Sequence, residues 1–354
     1  GRAAPAPARR GGARAGAPPG PPAAAEPLAP GQLLPPRAAS RHARVERNEP
    51  VPPPDDDAAA AALLADVAPT GPVVNERAAA LIRRGYELAE RGASFAARRE
   101  FVAALQLLAD AKDQRHGSPR RTVALAHGLR ALDEAADFAP VKFGGGSQLK
   151  LSVIVAAHRT PAAQSLDVDR LLPQQVADVY FAYAERMLGA SVAGEPAGSM
   201  ALHALGKLAS RMGRFEPAQC PLAERQALAL QNAALLARSD NHLAAHELGV
   251  LLAENGHLLA SEQVLRQVAA HAPHPTVYRN LARVERRLGR PDLAAGSENQ
   301  AAVLAAQMGG DQPVQWVSAD ALARTPDAMG PSTNPPRPGA AGPMTARGPG
   351  GMIR

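Results

Sequence analysis

One cysteine, four lysines and eleven aromatic residues are all that 354 positions hold of three chemically versatile classes. Cys220 alone excludes an internal disulfide and any multi-cysteine metal site. No Lys or His stands beside it in sequence to activate the thiol, so it reads as a small buried hydrophobe. The aromatics are too few and too scattered to make a stacking platform for single strands. The net charge of +6 and the pI near 10.0 would ordinarily point to a nucleic-acid partner. Here the cations are nearly all Arg, in company with abundant Ala, Pro and Gly, which is the composition a high-GC coding sequence produces. Nucleic acid is therefore not the partner this chain suggests.

Long apolar runs are missing too. The longest, Ala58 to Ala65 and Leu151 to Ala157, fall far short of the ~18 residues that cross a bilayer. The chain begins with Gly, so an upstream export signal or anchor stays open, and with it the compartment: cytoplasmic, or exported to the cell envelope. Catalytic signatures are lacking as well. No His-Glu metal-protease pair, nucleophile elbow, P-loop or dinucleotide fingerprint occurs. Ser147 follows three glycines without a His or carboxylate tied to it, and Lys150 is misplaced for a phosphate-cradling loop. The sequence implies no cofactor and no metal, and the expectation is a protein that is not an enzyme.

Proline, by contrast, is abundant and unevenly placed. Of 34, 16 lie in residues 1–72 and 8 in 309–354, which leaves 10 for the 236 residues between. The ends cannot hold continuous helix or bury enough apolar surface to offset their ordering entropy, whereas the middle can. The expected organisation is an all-α core with disordered arms: an arm over 1–72, a degenerate helical region with a loop insertion over 73–195, a regular helical array over 196–308, and a tail over 309–354. Within the first arm, Ala58 to Asp66 reads as a spacer with at most a transient helix. In the tail, Trp316 either packs on the last helices or serves as a docking motif.

The regular pattern is clearest over Asn241 to Arg290. Ala245, Leu248, Leu252 and Leu259 form an apolar stripe, Gly249 allows a neighbouring helix to come close, and Gly256 allows a turn. Val264, Leu265 and Val268 make a second stripe that ends before Pro273. Leu248-Gly249, Gly256, Ser261, Leu265 and Pro273 resemble the tetratricopeptide repeat. Leu81, Gly85, Leu88, Gly92, Ala97, Phe101 and Ala104 give a second match. Leu202, Leu205-Gly206 and Gly213, followed by Phe215 and Ala218, give a third. Ala282 stands in the glycine place of a last unit, with Glu298 where an apolar residue belongs, as in a terminal cap. A further helix with Gly128 in the glycine place has Ala135 instead of a turn glycine and reads as a degenerate unit. Phe143 to His158 reads as a loop followed by a short helix. The helix over 172–188 carries Val176, Val179, Tyr180, Tyr183 and Met187 as a core stripe.

The resemblance implies a right-handed α-solenoid of roughly ten to eleven helices, whose first helices line a concave groove. The positions that meet ligands in such repeats fall on His203, Lys207 and Ser210, then His246, Val250 and Ala253, then Arg279, Arg283 and Arg286, with Asn280 adjoining. Arg279, Arg283 and Arg286 share one helical face, and Arg forks suit carboxylates. The set resembles the carboxylate-clamp subclass in part, and it departs where the middle unit carries Glu247 in place of Asn. The implied ligand is an acidic or carboxylate-bearing peptide held by a non-enzymatic scaffold. The other reading of the arginines is a solvated face paired with Glu285 and its neighbours. Two histidines alone, His203 and His246, do not make a metal site. The rival function is an accessory or structural protein of the cell envelope that self-associates through its array.

Overall fold

The structure, a computed structural model, describes residues 55–139 and 150–308. The arm before residue 55, the FGGGSQ loop and the Trp316 segment lie outside the described residues. Twelve α-helices and no strand occur among the described residues. They are α1 (Asp55–Ala65), α2 (Pro72–Glu90), α3 (Ser94–His116), α4 (Arg120–Ala135), α5 (Leu151–Ala157) and α6 (Pro173–Ser191). The second half holds α7 (Pro196–Phe215), α8 (Ala223–Ala237), α9 (His242–Glu254), α10 (Leu258–His271), α11 (Pro275–Arg287) and α12 (Pro291–Gln307). Five of them, α2, α6, α7, α11 and α12, carry Pro in the first turn, where its missing N–H leaves nothing unsatisfied.

Four hairpins follow one packing rule. In α2–α3, α7–α8, α9–α10 and α11–α12 the two helices pack along each other. The second helix of each then packs against the first helix of the next: α3 on α7, α8 on α9, α10 on α11. First helices also touch first helices, α2 with α7, α7 with α9, α9 with α11. The glycines explain the close approach inside a hairpin. A Cβ on Gly249 would sit 2.8 Å from the side chain of Leu265, and one on Gly85 would collide with the ring of Phe101. Leu265 and Phe101 each lie 16 residues after their glycine. Seven residues after Gly85, Gly249 and Ala282 come Gly92, Gly256 and Gly289, all with φ between +72° and +81°, the left-handed turn the pattern requires.

The third match departs from this rule. Gly213, read as a turn glycine, lies inside α7, which continues to Phe215, and a Cβ there would meet Ala223 of α8. Phe215, read as the aromatic of a second helix, instead ends the first and is 74% exposed. The helix with Gly128 is no member of the row either. α4 pairs with α6, α3 packs on α4, and α6 packs on α8, so this pair is inserted between the first and second hairpins and lies against their second helices. The stripe on α6 is core as expected, with Val176, Tyr180, Tyr183 and Met187 all buried. The connection carries α5, and His158 just beyond it bridges the Tyr180 hydroxyl at 2.7 Å and an Asp137 carboxylate oxygen at 3.2 Å.

The stretch read as a spacer is part of the core. α1 packs on α6 with Ala60 buried. The residues after it are gripped by two cations that are themselves sealed from water. Lys112 Nζ donates to the carbonyl oxygens of Ala68 at 2.8 Å and Ala193 at 2.7 Å, and lies 3.6 Å from Glu195. Glu195 accepts from the Thr70 N–H at 2.6 Å and its hydroxyl at 3.0 Å. Arg121 donates to Asp66 Oδ2 at 2.7 Å and to the carbonyls of Ala190, Leu63 and Asp66. Buried charges persist only when paired and hydrogen-bonded in this way.

Candidate functional site

The first helices α7, α9 and α11 carry the residues that the pattern singled out. The structure brings five of the seven into one electrostatic neighbourhood. His203, one turn before Lys207 on α7, is 5% exposed, and its Nδ1 donates to Gln231 Oε1 of α8 at 2.8 Å. The Gln231 amide returns a bond to the His203 carbonyl at 3.3 Å. That fixes the ring as a neutral Nδ1–H tautomer. Burial first, then the positive charges of Lys207 and of a protonated His246, pull its pKa down to about 3.

His246 on α9 is also 5% exposed, and the Asn280 amide nitrogen of α11 meets its Nε2 at 2.9 Å. With that lone pair engaged, the neutral ring carries its proton on Nδ1, which is buried and has no hydrogen-bond partner. Burial, then His274, then Lys207 hold this ring's pKa down to about 4. His274 is the N-cap of α11: its Nδ1 accepts from the Thr276 N–H at 3.2 Å. Burial and the charge of Arg279 lower its pKa as well. Lys207, His203, His246, His274 and Arg279 thus act on one another in a run across three successive hairpins, and their imidazoles stay neutral because burial disfavours the charged form and the cations beside them add to it.

The three arginines of α11 divide. Arg279 joins this run through His274. Arg283 is exposed, its charge disfavoured by burial and by Arg286 and favoured by Glu254 of α9. Arg286 pairs with Glu298 of α12, so Glu298, read as a bare polar residue of a terminal cap, engages the last member of the arginine row. Glu285 is not their partner. It accepts from Arg266 at 3.1 Å and from the Ser297 hydroxyl at 2.8 Å. Of the other predicted positions, Ser210 is buried and accepts from Arg214 at 3.0 Å, while Val250 and Ala253 are half-buried.

Two residues of the site, His274 in the run and Gln231 holding His203, were not read from the sequence. His274 stands before Pro275, and a side chain with an acceptor before a helix-opening Pro is an N-cap signal. Gln231 and Asn232 are the two polar residues of the otherwise apolar run ALALQNAALLA, and a polar residue buried between helices implies a polar partner. Among the described residues no cluster of three His, Cys, Asp or Glu is placed to hold a metal ion, and no helix is long and apolar enough to cross a membrane. No family model matches the chain, and neither does any curated protein or solved structure.

Proposed function

We propose that the chain is a tetratricopeptide-like scaffold, a right-handed α-solenoid of four hairpins with one inserted pair, that binds an acidic or carboxylate-bearing peptide along α7, α9 and α11. The observation that carries this reading is the run from Lys207 to Arg279. Lys207 and Arg279 stand at the two ends of a row of buried, neutral imidazoles, and each cation further disfavours protonation of the ring beside it. An anion laid along the wall would meet both cations. The unpartnered Nδ1–H of His246 adds to it, because an acceptor admitted beside the ring would satisfy a buried donor that costs about 1–3 kcal/mol to leave unmade. Regular packing of second helix on next first helix supports the solenoid, and it gives the wall the rigidity that keeps ordering costs low on binding.

Fluorescence anisotropy with a labelled Asp/Glu-rich decapeptide tests the assignment on the full chain. Lys207→Ala with Arg279→Ala should weaken binding roughly 10-fold or more and flatten its salt dependence, as loss of two charge-assisted contacts requires. Arg286→Ala, already committed to Glu298, should change little. An affinity indifferent to the double substitution would remove the reading.

A further inference from the structure

A second face of the molecule is built differently. Where α3, α4, α7 and α8 meet, they leave a cavity of about 300 Å³ lined by Leu129, Leu132, Leu205, Leu208, Met212 and Leu230. Phe95 stands at its edge and is 81% exposed. Phe215 ends α7 one turn beyond Met212 and is 74% exposed. No other large apolar side chain among the described residues is as exposed as these two. At the same edge Arg98 and Asp133 face each other at 3.4 Å, with side chains 41% and 70% exposed.

We propose that this face is the interface of a two-fold homodimer, in which Phe95 of each protomer enters the cavity of the other. A two-fold contact uses one patch on both subunits, so the patch must carry both the projection and the hole. This one does. Its rim charges, Arg98 and Asp133, pair with each other inside the protomer, so the rim is neutral overall and can face its own copy without like-charge repulsion, whereas a charged foreign partner would call for a rim of one sign. The cavity sits at the lower end of the range for small-molecule sites and has room for one phenylalanine ring, since about 150 Å³ already admits benzene. Four phenylalanine rings bury about 600–1,000 Å² between them, at least half of the roughly 1,200 Å² a stable dimer needs. Hot-spot aromatics sit in such pockets with near-neutral polar rims around them. The face lies apart from the Lys207–Arg279 run, so this inference stands or falls independently of the peptide assignment.

Sedimentation velocity on the full chain, from low micromolar to hundreds of micromolar, tests it. The wild type should shift from monomer to dimer with concentration. Phe95→Asp is at an exposed first-turn position where a carboxylate suits the helix, so it keeps the circular dichroism of the wild type and should weaken dimerisation at least about 100-fold. Arg98→Asp or Asp133→Arg alone puts like net charge on both facing rims and should weaken it, and the two together make the rims neutral again and should restore it. A chain that stays monomeric throughout, or a dimer untouched by Phe95→Asp, overturns the proposal. So does a monomer whose unfolding midpoint rises with decanoic acid, which would assign the cavity to a small amphiphile.

Discussion

Acidification should destabilise this protein well above the range in which carboxylates titrate, and two rings set the size of the effect. His203 and His246 have folded-state pKa values of about 3 and about 4 against an ordinary 6.5. The unfolded chain therefore takes up protons that the folded chain refuses. The stability this confers is present above the unfolded value and drains away as pH falls through 6.5 toward the folded values. Between pH 7 and pH 5 each ring loses about 2 kcal/mol at 1.36 kcal/mol per unit, so the pair loses about 4 kcal/mol. Both are 5% exposed, so solvent screening does not discount this. For a core of this size that lowers the unfolding midpoint by roughly 10 °C. The groups around them carry the same sign: Lys207 beside both, His274 and Arg279 beyond His246, and only amides, Gln231 and Asn280, as hydrogen-bond partners. Thermal melts followed by circular dichroism at pH 7, 6 and 5 read the slope. In His203→Gln/His246→Gln the slope should shrink to the residue left by His242 and His274, whose pKa values burial also lowers. A midpoint flat from pH 7 to 5, or a double variant with the wild-type slope, would refute the argument that these rings are buried neutral.

Gly249→Ala should cost about 1–3 kcal/mol in urea unfolding, since the added Cβ meets Leu265 at 2.8 Å, whereas Gly296→Ala has open space around it and should stabilise α12 by up to about 1 kcal/mol. Lys112→Met leaves Glu195 buried without its cation and should cost about 3–5 kcal/mol. Adding Glu195→Gln should recover part of that; a single substitution without effect would show that the 66–70 stretch is held by something other than this pair.

What the sequence made legible was the spacing of small residues. Gly85 with Gly92 and Gly249 with Gly256 are read correctly because one position forbids a side chain and the other requires positive φ, and both demands are local. Gly213 shows the limit: the same spacing there is satisfied by close packing on Ala223, so α7 runs on and the turn falls later. The packing of α1 was illegible because its anchors, Lys112, Arg121 and Glu195, lie tens of residues away, and buried cations look like surface ones in a list of charges. The inserted position of α4 and α6 was likewise hidden, since their apolar stripes suit any neighbour. In the candidate site the helical register placed His203, Lys207, His246 and Arg279 together. It could not show that Arg286 turns to Glu298, because that choice depends on the facing helix.

In the proposed function, three successive first helices, α7, α9 and α11, form one wall for an acidic ligand. Hydrogen exchange of the full chain with and without a saturating Asp/Glu-rich peptide tests it directly. The account predicts slowed exchange in α7, α9 and α11 together, lost in Lys207→Ala/Arg279→Ala. Slowing confined to other helices, or none at a concentration where anisotropy reports binding, would contradict it.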